Sequence, residues 1–188
     1  MTSLETFCRQ IRARSTEHRE AIYLLHGRRL LSQVVAILRQ ELDSMVRVIF
    51  LLSIADKPYR QELIEASVNG AKWTAKGKSA CITDREMVEL AQSLHGWTQS
   101  VYKFGCAFIH LSSFHDYEHR DPLLVLAKDE KAAILKHMRA YHGGLTVSDP
   151  TFEDLLPYLP QAFEKVADNL ECYIKQLEAE EAPAKSAI

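Results

Sequence analysis

The chain has no closely spaced cysteine pair, no glycine-rich phosphate loop and no apolar run long enough to span a bilayer. Cys8, Cys81, Cys106 and Cys172 stand far apart, so neither a disulfide framework nor a zinc finger is written into the sequence. With no secretory leader recognisable, a reduced, cytoplasmic protein is expected. Gly70, Gly77, Gly143 and Gly144 make no Walker or dinucleotide pattern, which argues against ATP and NAD chemistry, and no cofactor is expected. No Gly-x-Ser-x-Gly elbow is present either. The most apolar stretch, Val48 to Ala55, is short, and Arg39, Glu41, Asp43 and Arg47 precede it, so no membrane association is expected. A net charge of -2 leaves no bulk attraction for nucleic acid or lipid.

What the chain does have is helical periodicity. Leu31, Val35, Leu38, Leu42, Met45, Ile49 and Leu52 follow an alternating three-and-four spacing. So do Met87, Leu90, Leu94, Trp97, Val101, Phe104, Phe108 and Leu111. Such stripes keep one face of a helix against a neighbour over several turns. They predict helices from about Leu31 to Ala55 and from Thr83 to Ser113, the second opened by a Thr83/Glu86 capping box. A first helix from Ser3 puts Leu4, Ile11, His18 and Leu25 on one line, so that His18 faces the core. Shorter helices follow over Tyr59–Val68 and Asp129–His142, with His142 a cation near a helix C-terminus, and another opens at Asp149-Pro150. Phe163, Val166, Leu170, Tyr173 and Leu177 mark the last stripe. The expected fold is all-α: an up-down bundle of about six to seven helices, four of them long. It forms a single domain over 1–181 with a disordered tail at 182–188.

Charge is unevenly spread along this bundle. Arg9, Arg12, Arg14, Arg19, Arg28 and Arg29 lie near the start, whereas acids dominate the last forty residues against three lysines. Side-by-side packing of a basic first helix and an acidic last helix is the expectation. For Arg47, the nearest acid at helical spacing is Asp43. Val46, Val48, Phe50, Leu51, Tyr102 and Ile109 exceed what one stripe needs, which suggests a homodimer through central helices or another protein partner.

Three groups of residues could carry chemistry. His110, His115, Asp116, His119 and Arg120 crowd one junction. His115 and His119 stand one helical turn apart, as metal or ligand groups can, and His137 is the remaining candidate donor. His115 is also the next core position after Leu111. The expected metal set is none, because no Glu-x-x-His pair answers from a second helix. Around Trp73, Lys72, Lys76 and Lys78 combine cations with a ring that could stack on single-stranded RNA. An irregular connection with its tryptophan tucked into the core is the alternative. Cys106, on a buried helical segment, is expected to be inert.

The run Tyr102-Lys103-Phe104-Gly105-Cys106-Ala107-Phe108-Ile109-His110-Leu111-Ser112-Ser113-Phe114-His115-Asp116-Tyr117, then Asp121-Pro122 and Arg139-Ala140-Tyr141-His142-Gly143, resembles uncharacterised bacterial proteins of the HEPN-like superfamily. The resemblance spans roughly residues 20 to 178. It implies a helical bundle, commonly dimeric, in a group where many members are toxins of toxin–antitoxin systems or antiphage nucleases. Their catalytic motif is an arginine and a histidine with four to six residues between them, the histidine acting as base without metal. Arg12 with His18 and Arg19 with His26 have that spacing, but both pairs lie on the first helix rather than a late one, and the arginine and histidine content alone yields such pairs. The expectation is a non-catalytic dimeric binding or accessory module in the bacterial cytoplasm. The alternatives are a metal-independent ribonuclease using these four residues and a metal-binding bundle enzyme using the histidines.

Overall fold

The computed structural model describes residues 1–181, so the tail expected at 182–188 lies outside the described residues. Helix α1 (Ser3–Gly27) opens with a capping box in which Thr2 and Glu5 satisfy each other's backbone N–H groups. Helices α2 (Leu31–Ser53) and α3 (Lys57–Val68) follow, α3 capped by the Asp56 carboxylate and closed by Asn69-Gly70. Next come α4 (Asp84–His95), α5 (Thr98–Ile109), α6 (Pro122–Val125), α7 (Lys128–His142), α8 (Phe152–Leu155) and α9 (Leu159–Glu181). No strand occurs among the described residues; Thr74 and Cys81 make one isolated bridge. The fold is the all-α bundle that the periodicity predicts.

Helix α2 is the axis. It contacts α1, α4, α5 and α9. Val46, Val48 and Leu51 are fully buried, so the apolar excess on this helix is used inside the chain. Of the rest of that excess, Phe50 and Tyr102 are half-buried and Ile109 is exposed. Phe163, Val166, Leu170 and Leu177 of α9 bury the predicted stripe against the same core. Full burial of a large aliphatic side chain stabilises by about 1.5–3 kcal/mol.

A single long helix over Thr83–Ser113 does not form. Gly96 adopts a left-handed conformation with φ of 70° and closes α4. The apolar spacing runs across this break without a phase change, which is why periodicity alone does not reveal it. Leu94 is exposed, and Leu111, beyond the end of α5 at Ile109, is 95% exposed. His115 likewise leaves the core position predicted for it. It sits exposed in a 3-10 turn, Ser113–Asp116, and Phe114 takes the buried place.

Basic α1 and acidic α9 lie side by side, as the charge distribution predicts. Arg12 binds Glu171 at 2.9 Å and Glu178 at 2.6 Å, and Arg19 binds Glu164 at 3.0 Å. Arg47 pairs with Asp84 of α4 at 2.9 Å; Asp43, its expected partner, is taken by Arg39.

Gly96→Ala should cost about 1–2 kcal/mol, because an L side chain resists the left-handed region. Gly27→Ala, at a site where an added methyl meets nothing within 4 Å, should leave stability unchanged or slightly raised. Urea unfolding of the two variants tests the difference.

Candidate functional site

The break at Gly96 is stapled by one side chain. Gln92 donates to the Gly96 carbonyl at 2.6 Å, and its own carbonyl accepts from the Thr98 hydroxyl at 3.0 Å and the Gln99 N–H at 2.9 Å. This sets the angle at which α5 leaves α4. Gly105 then brings α5 close to α2: a Cβ at this position would stand 2.6 Å from the Arg39 Cβ. With α5 drawn toward α2, α7 meets it less closely. Leu135 is the one buried residue of α7 among the described residues.

Between α5 and α7 lies a cavity of about 490 Å³. Gln99, Ser100, Tyr102, Lys103 and Cys106 line one wall, and Glu130, Ile134 and His137 line the other. Lys103 reaches Glu130 at 3.1 Å across the gap. A smaller apolar annex of about 70 Å³ adjoins it, walled by Leu38, Trp97, Met138, Leu159 and Ala162. Ser100, Phe104, Ile134 and His137 belong to both spaces.

The polar groups here are mostly uncharged. Burial, reinforced by Lys136, lowers the His137 pKa below its ordinary 6.5, against an opposing hydrogen bond to the Gly96 backbone. At neutral pH the ring is therefore neutral. Burial, helped by Cys106, raises the Tyr102 phenol, while the Arg39 guanidinium 4.0 Å from its ring centroid opposes the shift. The phenol keeps its proton and can donate it. The arrangement can hold a molecule with an apolar end and a polar end.

The residues singled out in the sequence lie elsewhere. His18 is buried, with Nδ1 2.7 Å from Glu41, whose other oxygen accepts from the Ser15 hydroxyl. His26 Nε2 is bonded to the Leu156 carbonyl at 2.9 Å. Arg12 and Arg19 are held by the α9 carboxylates, and the bonds to Glu178 and Glu171 raise the Arg12 pKa. These four residues are thus engaged in internal contacts and do not converge on one open cleft. His110 caps α5 at the surface, His115 accepts from the Ser112 N–H at 3.4 Å, and His119 pairs with Asp116 at 3.1 Å. Arg120 is exposed beside them. No three His, Cys, Asp or Glu side chains converge as metal ligands among the described residues, so His110, His115, His119 and His137 do not form the donor set considered for a metal enzyme.

Trp73 corrects the stacking role considered for it. The ring is 3% exposed, Nε1 donates to the Ser67 hydroxyl at 2.8 Å, and Arg47 lies 5.2 Å from the ring centroid, so no face is open to a base. Lys72 next to it is exposed. Of the α5–α7 cavity, sequence reasoning singled out Cys106, Lys103 and His137 separately.

His95, His137 and His142 all have lowered pKa values, burial being the first cause in each; Lys165 adds to the effect at His95 and His142. His142 is therefore not the C-terminal cation expected. Because the unfolded chain takes up these protons first, stability should be complete above the ordinary value of 6.5 and fall as pH drops through it toward the lowered native values. Thermal unfolding from about pH 8 to about pH 5 checks this, and a midpoint that rises on acidification contradicts it. No helix among the described residues is long and apolar enough to cross a membrane. No family model, no curated protein and no solved structure matches the chain.

Proposed function

We propose that the protein is a non-catalytic binding module, HEPN-like as its sequence resemblance implies, that holds a small amphipathic molecule between α5 and α7. The observation that carries this reading is the continuity of a cavity of about 490 Å³, whose lining mixes polar and apolar side chains, with a fully apolar annex. Its size is that of sites that enclose small ligands, about 300–1,000 Å³. The apolar end of the ligand enters the annex beside Trp97, and its polar end meets Tyr102, Gln99 and His137. The ribonuclease alternative has less support, because His18 is buried against Glu41 and Arg12 is bound by two glutamates.

Titration with anilinonaphthalene sulfonate, an amphipathic fluorescent probe, should show saturable binding at one site. Ala162→Trp, which fills the annex, should weaken it by about tenfold or more with the helical circular dichroism unchanged. Equal binding by both proteins contradicts the site. RNA incubated with the protein should stay intact; cleavage abolished by His18→Ala would restore the nuclease reading.

The same resemblance implies a dimer. With α2 covered, Ile109 and Leu111 at the end of α5 are the exposed apolar groups that central-helix pairing would use. Light scattering at micromolar concentration should give twice the chain mass of 21.4 kDa, and a monomer removes the dimer.

A further inference from the structure

A second cavity, of about 320 Å³, lies where α1, α2 and α3 meet, and it shares no lining residue with the α5–α7 cleft. Its floor is Phe7 and Ile11. Its polar lining is Gln10 and Arg14 of α1, Ser44 and Arg47 of α2, and Ser67 of α3. Two guanidinium groups therefore face one space.

The partners of these groups leave an anion unaccounted for. Arg14 makes no ion pair among the described residues. Its bonds go to two neutral oxygens at long distances, Ser44 Oγ at 3.3 Å and Gln40 Oε1 at 3.4 Å. Glu41 is the carboxylate whose field reaches it, yet both Glu41 oxygens are already bonded, one to Ser15 and one to His18. Arg47 is balanced on one side by Asp84, at 2.9 Å. The Arg14 pKa is lowered, chiefly by removal from water and also by Arg47, with Glu41 opposing. The Ser67 oxygen accepts from the Trp73 indole, and its own O–H has no acceptor among the described residues.

We propose that this cavity binds a phosphate group, carried by a small phosphate monoester, with Arg14 and Arg47 as its cationic ligands and Ser67 as a hydroxyl donor. A tetrahedral dianion accepts forked guanidinium bonds and removes the repulsion between the two arginines. The apolar floor beside it has room for part of the organic substituent. A terminal phosphate suits the site better than a nucleic-acid backbone, because Trp73 cannot stack on bases and Arg14 and Arg47 face a concavity rather than a continuous track.

Calorimetric titration of the full chain with inorganic phosphate is the test. Saturable one-site binding is expected. Arg14→Gln should weaken it about tenfold or more, the loss of a charged hydrogen-bonding partner. Arg14→Lys, which keeps the charge without the fork, should give an intermediate loss, and Arg85→Gln, whose exposed wild-type side chain pairs with Glu89 on α4, should bind as the wild type. In phosphate-free buffer Arg14→Gln should melt at or above the wild-type temperature, since one of two like charges is removed. Unsaturable heat, equal binding by Arg14→Gln, or a lower melting temperature for that variant in the absence of phosphate each overturns the proposal. So does an oligoribonucleotide without terminal phosphates that binds more tightly than inorganic phosphate, which would make the surface a polyanion track.

Discussion

Everything in this bundle depends on covering α2 on all its sides. The helix carries apolar side chains around much of its circumference from Val34 to Leu51 and so cannot lie on a surface. Four other helices, α1, α4, α5 and α9, are drawn against it, and the rest of the chain connects or caps them. The few charged groups on α2 are consequently forced into pairs. Glu41, with no solvent exposure, is held by His18 and Ser15 of α1. Arg39 is 3% exposed, paired with Asp43 and stacked on Tyr102 of α5. A buried ion pair adds little net stability over a good apolar contact, but removing one partner is costly. These pairs therefore fix how α1 and α5 are oriented on α2.

The contacts between α1 and α9 act differently. Arg12 and Arg19 meet their carboxylates at partly exposed positions, where an ion pair contributes about 0–1 kcal/mol. Arg12 is the exception in geometry, since its fork engages both Glu171 and Glu178 through four bonds. Their main consequence is register. A slide of α9 by one turn along α1 would separate Arg12 from Glu171 and Arg19 from Glu164 together. The same engagement removes Arg12 and Arg19 from the roles that their spacing to His18 and His26 brought to mind. Spacing in a sequence cannot distinguish a catalytic arginine from one that ties two helices together.

The legible parts of the sequence were those in which one local pattern has one physical meaning. The stripes on α2 and α9, the capping box at Thr83, the end of α3 at Val68 and the basic and acidic ends all match what the fold does with them. His18 faced inward as its heptad position required. The break at Gly96 was less legible because two signals competed there: the apolar spacing continued, while a glycine followed His95. The left-handed cap prevailed, since Gln92 satisfies the freed backbone groups. Beyond it Trp97, Phe104 and Phe108 keep their buried stripe positions, and the register is lost only where α5 ends at Ile109, before Leu111 and His115. The α5–α7 cavity was illegible for a related reason. Its walls come from segments about thirty residues apart whose distance is set by Gly105 against Arg39, a contact between helices that no local pattern encodes.

That contact also explains why the bundle is thin on one side. Gly105 lets α5 sink toward α2, so that a gap opens toward α7 which Lys103 spans to reach Glu130. A longer α4–α5 rod would present a continuous ridge for α7 to pack on, but the Gly96 corner divides it into two pieces. Helix α7 is left attached through Leu135, the half-buried Ile134 and Met138, the Lys103–Glu130 and Lys131–Asp149 ion pairs, and Arg139, which donates to the Leu145 carbonyl at 3.1 Å. Elements fixed by few buried contacts open at lower free energy than the core. The unfilled volume and the weakly held helix beside it thus share one origin. A displacement of α7 would leave the packing around α2 intact, and this separation is why a stable bundle can carry unfilled volume on this side.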